Sequence, residues 1–250
     1  MGPEIMVRPA RCIGCGACRA ACPHGAIDEP ARCQHCGACA AVCYTGAREV
    51  VGRAMSVESV MAEAERDRAF YDQSGGGVTF SGGEPLAQPE FLAGLLAACR
   101  ARGLHTAVDT CGYAPWEVID RIRRWVDLFL YDVKAVDDAR HREFTGVSNA
   151  LILANLRRLA DLGHEIILRV PLVPGANDDD ASIDALGALA SSLARRYPVA
   201  LLPYHEIGID KYRRLGRGYR LEGVRAPTAE RMAELAARLG QFGLQVRIGG

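Results

Sequence analysis

Eight of the ten cysteines lie between Cys12 and Cys43 and form two copies of the spacing C-x-x-C-x-x-C-x-x-x-C. Three thiols at two-residue gaps, followed by a fourth, form the ligand pattern of a [4Fe–4S] cluster, and the fourth cysteine of each run binds the other cluster. The spacing therefore predicts one cluster on Cys12, Cys15, Cys18 and Cys43 and a second on Cys33, Cys36, Cys39 and Cys22.

Zinc sites and disulfide bonds are the two other uses of clustered cysteines. Structural zinc sites combine two well-separated cysteine pairs, often with histidine, whereas each run here has three cysteines at two-residue gaps. Disulfides need an oxidising compartment, and the sequence shows no signal peptide ahead of the array. Pro23 follows the first run, and Tyr44 stands where a second proline would be usual. The spacing favours the two clusters and so predicts an electron carrier.

The rest of the chain alternates short apolar stretches with segments of helical periodicity. Repeated strand–helix units with near-continuous apolar strands are typical of an α/β fold in which helices cover a parallel sheet. The predicted strands are Val78–Phe80, Leu104–Asp109, Leu128–Val133, Glu165–Val170, Val199–Pro203 and Leu244–Ile248. The predicted helices begin at Ser56, Pro89, Pro115, Asn149, Ser182 and Thr228, and they end near Tyr71, Gly103, Arg124, Leu162, Arg196 and Gly240.

Polar residues gather where the predicted strands end. Because the carboxyl ends of parallel strands share one edge of a sheet, chemistry concentrates there. Ser81–Pro85, with the sequence SGGEP, follows the first strand, and its glycines let the backbone approach a ligand. An ordinary tight turn is the alternative. The other residues at this edge are Asp109, Thr110, Asp132, Lys134, Arg169, Tyr204 and His205.

Composition limits the class of protein. The chain has 250 residues, 49% of them hydrophobic, and a formal net charge of zero. Bulk electrostatics therefore favour neither nucleic acid nor a membrane surface as a partner, and no apolar run approaches the length of a membrane span. We expect a cluster module over residues 1–52 and a larger domain over residues 53–250, in a reducing cytoplasm.

The motifs together resemble one known family. SGGEP after a strand resembles the S-adenosylmethionine motif of radical-SAM enzymes. By their order and intervals, five further motifs resemble those of glycyl-radical-enzyme activating enzymes, relatives of pyruvate formate-lyase activase. They are VDTCGY (Val108–Tyr113), YDVKAVD (Tyr131–Asp137), TGVSN (Thr145–Asn149), LRVPLVPGAND (Leu168–Asp178) and LLPYHEIGIDKY (Leu201–Tyr212). The resemblance covers essentially the whole chain and implies a partial (βα)6-type radical-SAM barrel preceded by a two-[4Fe–4S] ferredoxin-like module.

The resemblance also implies roles for residues at the first two strand ends. Gly82, Gly83 and Glu84 would contact the methionyl amino group of S-adenosylmethionine. Asp109, with Thr110, would lie near the carboxylate of this cofactor, at a position where family members can hold a monovalent cation.

The later strand ends would complete the cofactor site. By the same resemblance, Asp132 would lie close to the cation position and Arg169 on the barrel floor, while Lys134 and His205 would reach the carboxylate and ribose side. A solvated strand-end lysine is the alternative for Lys134, and a structural histidine is the alternative for His205. Lys134 and Lys211 are the only lysines among 30 basic residues, which favours a site suited to a compact ammonium group.

The family's defining C-x-x-x-C-x-x-C motif does not occur in this sequence outside the cysteine array. In the family its three cysteines leave one iron open, and that iron binds S-adenosylmethionine. We therefore expect that the family's first residues are absent, that a third [4Fe–4S] cluster exists only with such a segment, and that the sequence as printed does not cleave S-adenosylmethionine efficiently. No catalytic residue is assigned.

The leading hypothesis is an activase that forms a 5′-deoxyadenosyl radical from S-adenosylmethionine and with it creates a glycyl radical on a partner enzyme. A flavodoxin or ferredoxin would donate the electron. The alternative is a non-catalytic iron–sulfur electron carrier or regulator derived from such an activase. The sequence identifies neither the glycyl radical enzyme nor the oligomeric state.

Overall fold

The computed structural model describes residues 4–215 and 218–249, and for Lys211 the backbone alone. The strands within these ranges are β1 (Glu4–Val7), β2 (Arg48–Val51), β3 (Gly77–Phe80), β4 (His105–Thr110), β5 (Leu128–Asp132), β6 (Ile166–Leu172), β7 (Val199–Pro203) and β8 (Val246–Ile248). The helices are α1 (Ala17–Ala21), α2 (Ala38–Ala41), α3 (Val57–Ala64), α4 (Arg68–Ser74), α5 (Pro89–Ala101), α6 (Trp116–Arg123), α7 (Asp138–Thr145), α8 (Ala150–Asp161), α9 (Asp180–Ser192), α10 (Gly208–Arg214) and α11 (Ala229–Gly240).

Contacts divide the chain into two units. The first unit comprises the residues up to Met55 together with His205–Gly223, and the second comprises Ser56–Tyr204 and the residues from Val224 onwards. The sequence predicts a module over residues 1–52. This range corresponds to the N-terminal stretch of the first unit and does not include His205–Gly223. The segment His205–Gly223, which contains α10, is a later part of the chain that packs with the cysteine-rich region.

The first unit is built from two halves of similar sequence. Pro-Ala-Arg-Cys occurs at residues 9–12 and again at residues 30–33, and Cys-Gly-Ala-Cys follows each copy at residues 15–18 and 36–39. Each half has one 3-10 turn before its cysteines and one short helix, α1 or α2, within them. The strands β1 and β2 pair antiparallel. This repeat gives the two cysteine runs matching backbone surroundings.

The second unit contains a six-stranded parallel sheet in the order β3-β4-β5-β6-β7-β8. Each strand lies next to its successor in the chain, and helices connect them, as expected for consecutive βα units. Leu96, Val108, Leu156, Leu168 and Val199 are fully buried in the core between sheet and helices. The predicted α/β class with consecutive parallel strands is confirmed, and all six predicted strands are present.

Within the second unit, three details differ from the sequence prediction. The first predicted helix is divided into α3 and α4 by a 3-10 turn at Glu65–Asp67. Helix α7 was not predicted, because its residues are mostly polar and show no apolar face. Strand β6 continues through Pro171, where the prediction ended it. Proline has no backbone N–H and would interrupt pairing with a neighbouring strand. The pairing of β5 with β6 ends at Asp132 and Arg169, before Pro171, so β6 can continue through the proline without leaving a β5 carbonyl unpaired.

Candidate functional site

The turn after β3 is held to the end of β4 by the Glu84 carboxylate. Glu84 Oε1 accepts hydrogen bonds from the Leu86 backbone N–H at 3.0 Å and from the Thr110 hydroxyl at 2.7 Å. Its Oε2 accepts a hydrogen bond from the Cys111 backbone N–H at 3.0 Å. Both oxygens are therefore engaged with the chain, and the side chain fixes the position of the two strand ends relative to each other.

Thr110 faces inward, and its place near the cofactor's carboxylate, which the family resemblance implies, stays a prediction. It is 3% exposed, and its hydroxyl donates to Glu84 while accepting from the Gly112 backbone N–H at 2.9 Å. The hydroxyl has no remaining hydrogen to offer a ligand. In this structure Thr110 positions the turn and the following loop.

The loop after β4 has little freedom to move. Asn155 on α8 donates hydrogen bonds to the Gly112 and Ala114 carbonyls, both at 2.9 Å. Gly112 has a positive φ of 69°, and a Cβ added there would lie 1.7 Å from the hydroxyl oxygen of Tyr131. Only glycine fits this position, because the left-handed backbone and the close approach of the tyrosine both exclude a side chain.

The two glycines of the turn leave the backbone open. Gly82 has a φ of 131°, a conformation that residues with a side chain rarely adopt. A Cβ placed at Gly82 or Gly83 would meet no atom within 4 Å. The glycines are therefore not required by crowding within the chain, and their bare backbone fits close approach by a ligand.

Four charged side chains of alternating sign lie in a row across the ends of β4, β5 and β6. Arg169 Nη1 lies 2.6 Å from Asp109 Oδ2, and Arg169 Nε lies 3.5 Å from Asp132 Oδ1. Lys134 Nζ lies 4.0 Å from Asp132 Oδ2, and the Ser81 hydroxyl donates to Asp109 at 3.0 Å. The structure thus brings together residues that the sequence predicted from separate strand ends.

The row contains two buried polar atoms that lack a good partner. Asp132 Oδ1 and Arg169 Nε are both inaccessible to solvent and have no hydrogen-bond partner among the described residues. Burial raises the pKa of Asp132, and Lys134 and Arg169 counteract that rise by Coulombic attraction. Unpaired buried polar atoms are unfavourable, and these two face each other at 3.5 Å, so they attract each other without forming a hydrogen bond.

Lys134 combines a fixed backbone with a half-exposed side chain. Asn177 donates hydrogen bonds to the Lys134 carbonyl at 2.7 Å and to the Pro171 carbonyl at 2.8 Å, while its Oδ1 accepts from the Val173 N–H. The Lys134 side chain is 42% exposed. The ammonium group therefore projects from an anchored strand end toward solvent and Asp132, where a ligand can reach it.

His205 belongs to the first unit, at the start of the segment His205–Gly223, and is exposed. Tyr204 ends the preceding part of the second unit and is 8% exposed. The role that the resemblance implies for His205 stays a prediction.

One set of cysteines in the first unit surrounds a cavity of about 420 Å³. Cys22, Cys33, Cys36 and Cys39 all line it, and these are the four thiols that the sequence assigns to one cluster. The Ala26 backbone N–H donates to Cys22 Sγ at 3.3 Å. Backbone hydrogen bonds, led by that of His24, lower the pKa of the Cys22 thiol, which favours the thiolate that binds iron.

The backbone of both cysteine runs adopts the same conformation between the first three cysteines. Gly16 and Gly37 have φ values of 76° and 79°, and Gly14 and His35 have φ values of 70° and 54°. His35 is the only residue other than glycine with positive φ among the described residues. A histidine held in this costly conformation indicates that the second run needs the same loop shape as the first.

The other predicted cluster involves Cys12, Cys15, Cys18 and Cys43. Hydrogen bonds from the Thr45 hydroxyl and from nearby backbone N–H groups lower the pKa of the Cys43 thiol, so both fourth cysteines are stabilised as thiolates. The described residues contain no group of three or more histidine, cysteine or acidic side chains placed around one ion. In a [4Fe–4S] cluster each thiolate binds a different iron, so its four cysteines do not surround a single ion. The observations that support the two clusters are therefore the shape of the loops and the cavity.

Sequence reasoning missed the residues that support the site. Asn155 and Asn177 each bond two carbonyls of loops that carry predicted site residues, and Ser81 bonds Asp109. Asn177 lies in a motif that was noted, yet nothing in its type revealed which carbonyls it would meet.

Within the described ranges no helix is long and apolar enough to cross a bilayer.

Known protein families match most of this chain. The Radical SAM superfamily matches residues 27–186, and the 4Fe-4S binding domain matches residues 5–28. These matches support S-adenosylmethionine and an iron–sulfur cluster as cofactors. The second match includes the first cysteine run and ends before the second.

Several activating enzymes are similar along nearly the whole chain. The trans-4-hydroxy-L-proline dehydratase activating enzyme of Clostridioides difficile is 42% identical, over 99% of this chain and 85% of that protein. The choline trimethylamine-lyase activating enzyme of Oleidesulfovibrio alaskensis is 41% identical, over 98% of this chain and 84% of that protein. A crystal structure of a domain of pyruvate-formate lyase-activating enzyme from Bacteroides vulgatus has a TM-score of 0.60 and 37% identity, covering 70% of this chain and 99% of that chain. The predicted family is confirmed: the chain belongs to the radical SAM superfamily and, within it, to the activating enzymes of glycyl radical enzymes.

Proposed function

We propose that this protein uses S-adenosylmethionine to create a glycyl radical on a partner enzyme. The observation that carries the proposal is the row Asp109, Arg169, Asp132 and Lys134 beside the open Gly82–Gly83 backbone, at the carboxyl edge of a parallel sheet in a chain of this family. An electron carrier without a substrate site has no need of this arrangement. The row therefore supports the activase over the alternative of a carrier or regulator.

The methionyl end of S-adenosylmethionine carries an ammonium and a carboxylate, and the two parts of the site suit these groups. The backbone of Gly82, Gly83 and Glu84 offers carbonyl acceptors for the ammonium. Arg169 and Lys134 offer cationic donors for the carboxylate, and Asp132 keeps both cations in place. His205 is proposed for the ribose side because of the family resemblance alone.

A reduced [4Fe–4S] cluster of the kind this family carries would supply the electron that cleaves S-adenosylmethionine to methionine and the 5′-deoxyadenosyl radical, and that radical would take a hydrogen atom from the partner's glycine. The residues of this chain bind and orient the sulfonium for that step, since correct placement accounts for much of the rate in such reactions. The three cysteines of the C-x-x-x-C-x-x-C motif are not among the ten in the sequence, so no residue here is proposed as a ligand of that cluster.

A monovalent cation is proposed at Asp109 and Asp132 when the cofactor is bound. Arg169 Nη1 now contacts Asp109 Oδ2, but a carboxylate offers about four acceptor sites and can accept a cation beside the guanidinium. The cation would offset the repulsion between Asp109 and the cofactor's carboxylate. Replacing potassium by tetramethylammonium in the binding buffer should then weaken S-adenosylmethionine binding several-fold; an unchanged affinity would exclude the cation.

Two further [4Fe–4S] clusters are proposed on the cysteines of the first unit, with one set on Cys12, Cys15, Cys18 and Cys43 and the other on Cys22, Cys33, Cys36 and Cys39. The shared loop shape of the two runs and the cavity lined by the second set support this assignment. The clusters would pass electrons from a flavodoxin or ferredoxin. The protein substrate is a glycyl radical enzyme, as the names of the relatives imply for their own partners.

The decisive test measures both products of the reaction in protein isolated without oxygen from its native cells. The protein is incubated with S-adenosylmethionine, dithionite and a partner, using trans-4-hydroxy-L-proline dehydratase and choline trimethylamine-lyase as the first candidates. We expect 5′-deoxyadenosine by chromatography and a glycyl radical signal by electron paramagnetic resonance with the correct partner. Iron-loaded protein that yields no 5′-deoxyadenosine would refute the proposed activity.

A matched pair of variants tests the site itself. Glu84→Gln replaces one acceptor oxygen by an NH2 group. This group would face donors that now bond Glu84 and would displace the turn. We therefore expect at least tenfold weaker S-adenosylmethionine binding. Glu90→Gln makes the same chemical change at a side chain that is 79% exposed, and we expect an unchanged affinity. Equal effects of the two substitutions would contradict the proposed position of the cofactor.

A further inference from the structure

An arginine from the segment His205–Gly223 lies against the cavity of the second cysteine set. Arg214, in the last turn of α10, lines this cavity together with Cys22, Cys33, Cys36 and Cys39. Nearly two hundred residues of sequence separate it from these cysteines, yet all belong to the first unit. The cysteines and Arg214 therefore line one cavity, together with Arg48 and Arg213.

The guanidinium of Arg214 is only partly satisfied by the protein. Its Nη2 lies 2.5 Å from Glu49 Oε1, and its Nη1 lies 3.7 Å from Asp210 Oδ2. Arg8 contacts the same Glu49 oxygen at 2.8 Å, so that carboxylate is shared between two arginines. The third nitrogen, Nε, is buried and has no hydrogen-bond partner among the described residues.

Because Nε has almost no accessible surface, a group in the cavity does not reach it, and Arg214 acts on the cavity through its positive charge. The cysteine and sulfide sulfurs of a [4Fe–4S] cluster accept hydrogen bonds, and such bonds, together with net charge, set the reduction potential of the cluster. Reduction adds a negative charge to the cluster. A nearby guanidinium stabilises the reduced form more than the oxidised form and therefore raises the potential.

We propose that the positive charge of Arg214 raises the potential of the cluster held by Cys22, Cys33, Cys36 and Cys39 and makes it the higher-potential cluster of the pair. The inference rests on the proposed two-cluster assignment. It is specific to one cluster, because none of the other four cysteines lines this cavity. An electron delivered by a flavodoxin or ferredoxin, which is oxidised by one electron, would then reside preferentially on this cluster.

The experiment is a redox titration of the iron-loaded protein with dithionite and mediators, followed by electron paramagnetic resonance. Unsubstituted protein comes first: eight irons per chain in these two clusters, with two reducible signals, tests the cluster assignment by itself. We then expect Arg214→Gln to destabilise the reduced form of one cluster about tenfold, which for a one-electron couple is about 59 mV. The potential of the second cluster should stay unchanged.

Two further variants separate the contributions. Arg8→Gln removes the other cation that contacts Glu49 but leaves Arg214 in the cavity, and we expect unchanged potentials. Arg214→Lys keeps the positive charge, and we expect a smaller downward shift than with Arg214→Gln. Selective loss of four irons in Arg214→Gln would also place Arg214 beside one cluster, since only that cluster would then be affected.

The proposal would be overturned by any of three results in protein that carries both clusters. These are unchanged potentials and iron content in Arg214→Gln, an equal shift of both clusters, or the same shift in Arg8→Gln. Protein that never binds the second set of four irons, even without substitution, would instead refute the two-cluster assignment on which the inference rests.

Discussion

Substituting Thr110 by valine tests whether the Glu84 turn is held as the structure indicates. Valine has nearly the same shape but lacks the hydroxyl that donates to Glu84 at 2.7 Å and accepts from the Gly112 N–H at 2.9 Å. A hydrogen bond to a charged group contributes about 1.5–3 kcal/mol, and a buried donor left without an acceptor costs about 1–3 kcal/mol. We expect Thr110→Val to lower the free energy of unfolding of the second unit by about 3 kcal/mol.

Urea unfolding followed by tryptophan fluorescence measures this change selectively, because both tryptophans, Trp116 and Trp125, belong to the second unit. With an m-value of about 3 kcal/mol per molar urea, the midpoint should fall by about 1 M. Thr79→Val is the control, since Thr79 is exposed on β3, and such surface changes usually stay within about 0.5 kcal/mol. A midpoint for Thr110→Val equal to that of the control would refute the reasoning.

Two other predictions use the same assay. Gly112→Ala places a Cβ 1.7 Å from the Tyr131 hydroxyl oxygen, so overpacking and left-handed backbone strain should together lower stability by about 3 kcal/mol. Gly146→Ala, at a φ of 83° but with no atom within 4 Å of the new Cβ, should lower it by about 1 kcal/mol; equal losses would exclude the proposed clash. Hydrogen bonds, first that from the Ser148 hydroxyl, lower the pKa of Asp138 to about 2 in the folded state. Its stabilising effect is therefore complete above the unfolded value of about 3.9 and is lost as the pH falls to about 2. Asp138→Asn should make the free energy of unfolding depend less on pH between about pH 2 and about pH 3.9. An unchanged pH dependence would contradict this prediction.

The sheet was predictable because most of its strands contain a short apolar run next to a glycine, proline or polar residue. Burial on both faces makes such runs stand out in the sequence, which is why β4, β5 and β7 were placed within about one residue. Strands β1 and β2 were missed because each has only four residues and pairs only with the other, and a run as short as Ile5–Val7 does not distinguish a strand from a loop. Helix α7 was missed because it depends on the Asp137 cap and its polar contacts and lacks an apolar face.

The site was predictable as a set of strand ends but not as a set of contacts. A parallel sheet must bring Asp109, Asp132 and Arg169 to one edge, so their proximity followed from the strand order. The inward direction of Thr110 depends on the packing of the following loop, which no local pattern encodes. The return of Arg214 to the cysteine-rich unit is a long-range contact, and spacing along the chain carries no signal for it.

The position of Lys134 has a practical consequence for protein chemistry. Its amine is half-exposed at the edge of the sheet, and the sequence contains only one other lysine, Lys211, because arginine supplies nearly all its positive charge. Reagents that acylate amines therefore have very few targets in this chain, and peptide mass spectrometry can report each one separately. Lys134 is in effect a native labelling position inside the candidate site, so its protection would report ligand occupancy without any mutation and without radical chemistry.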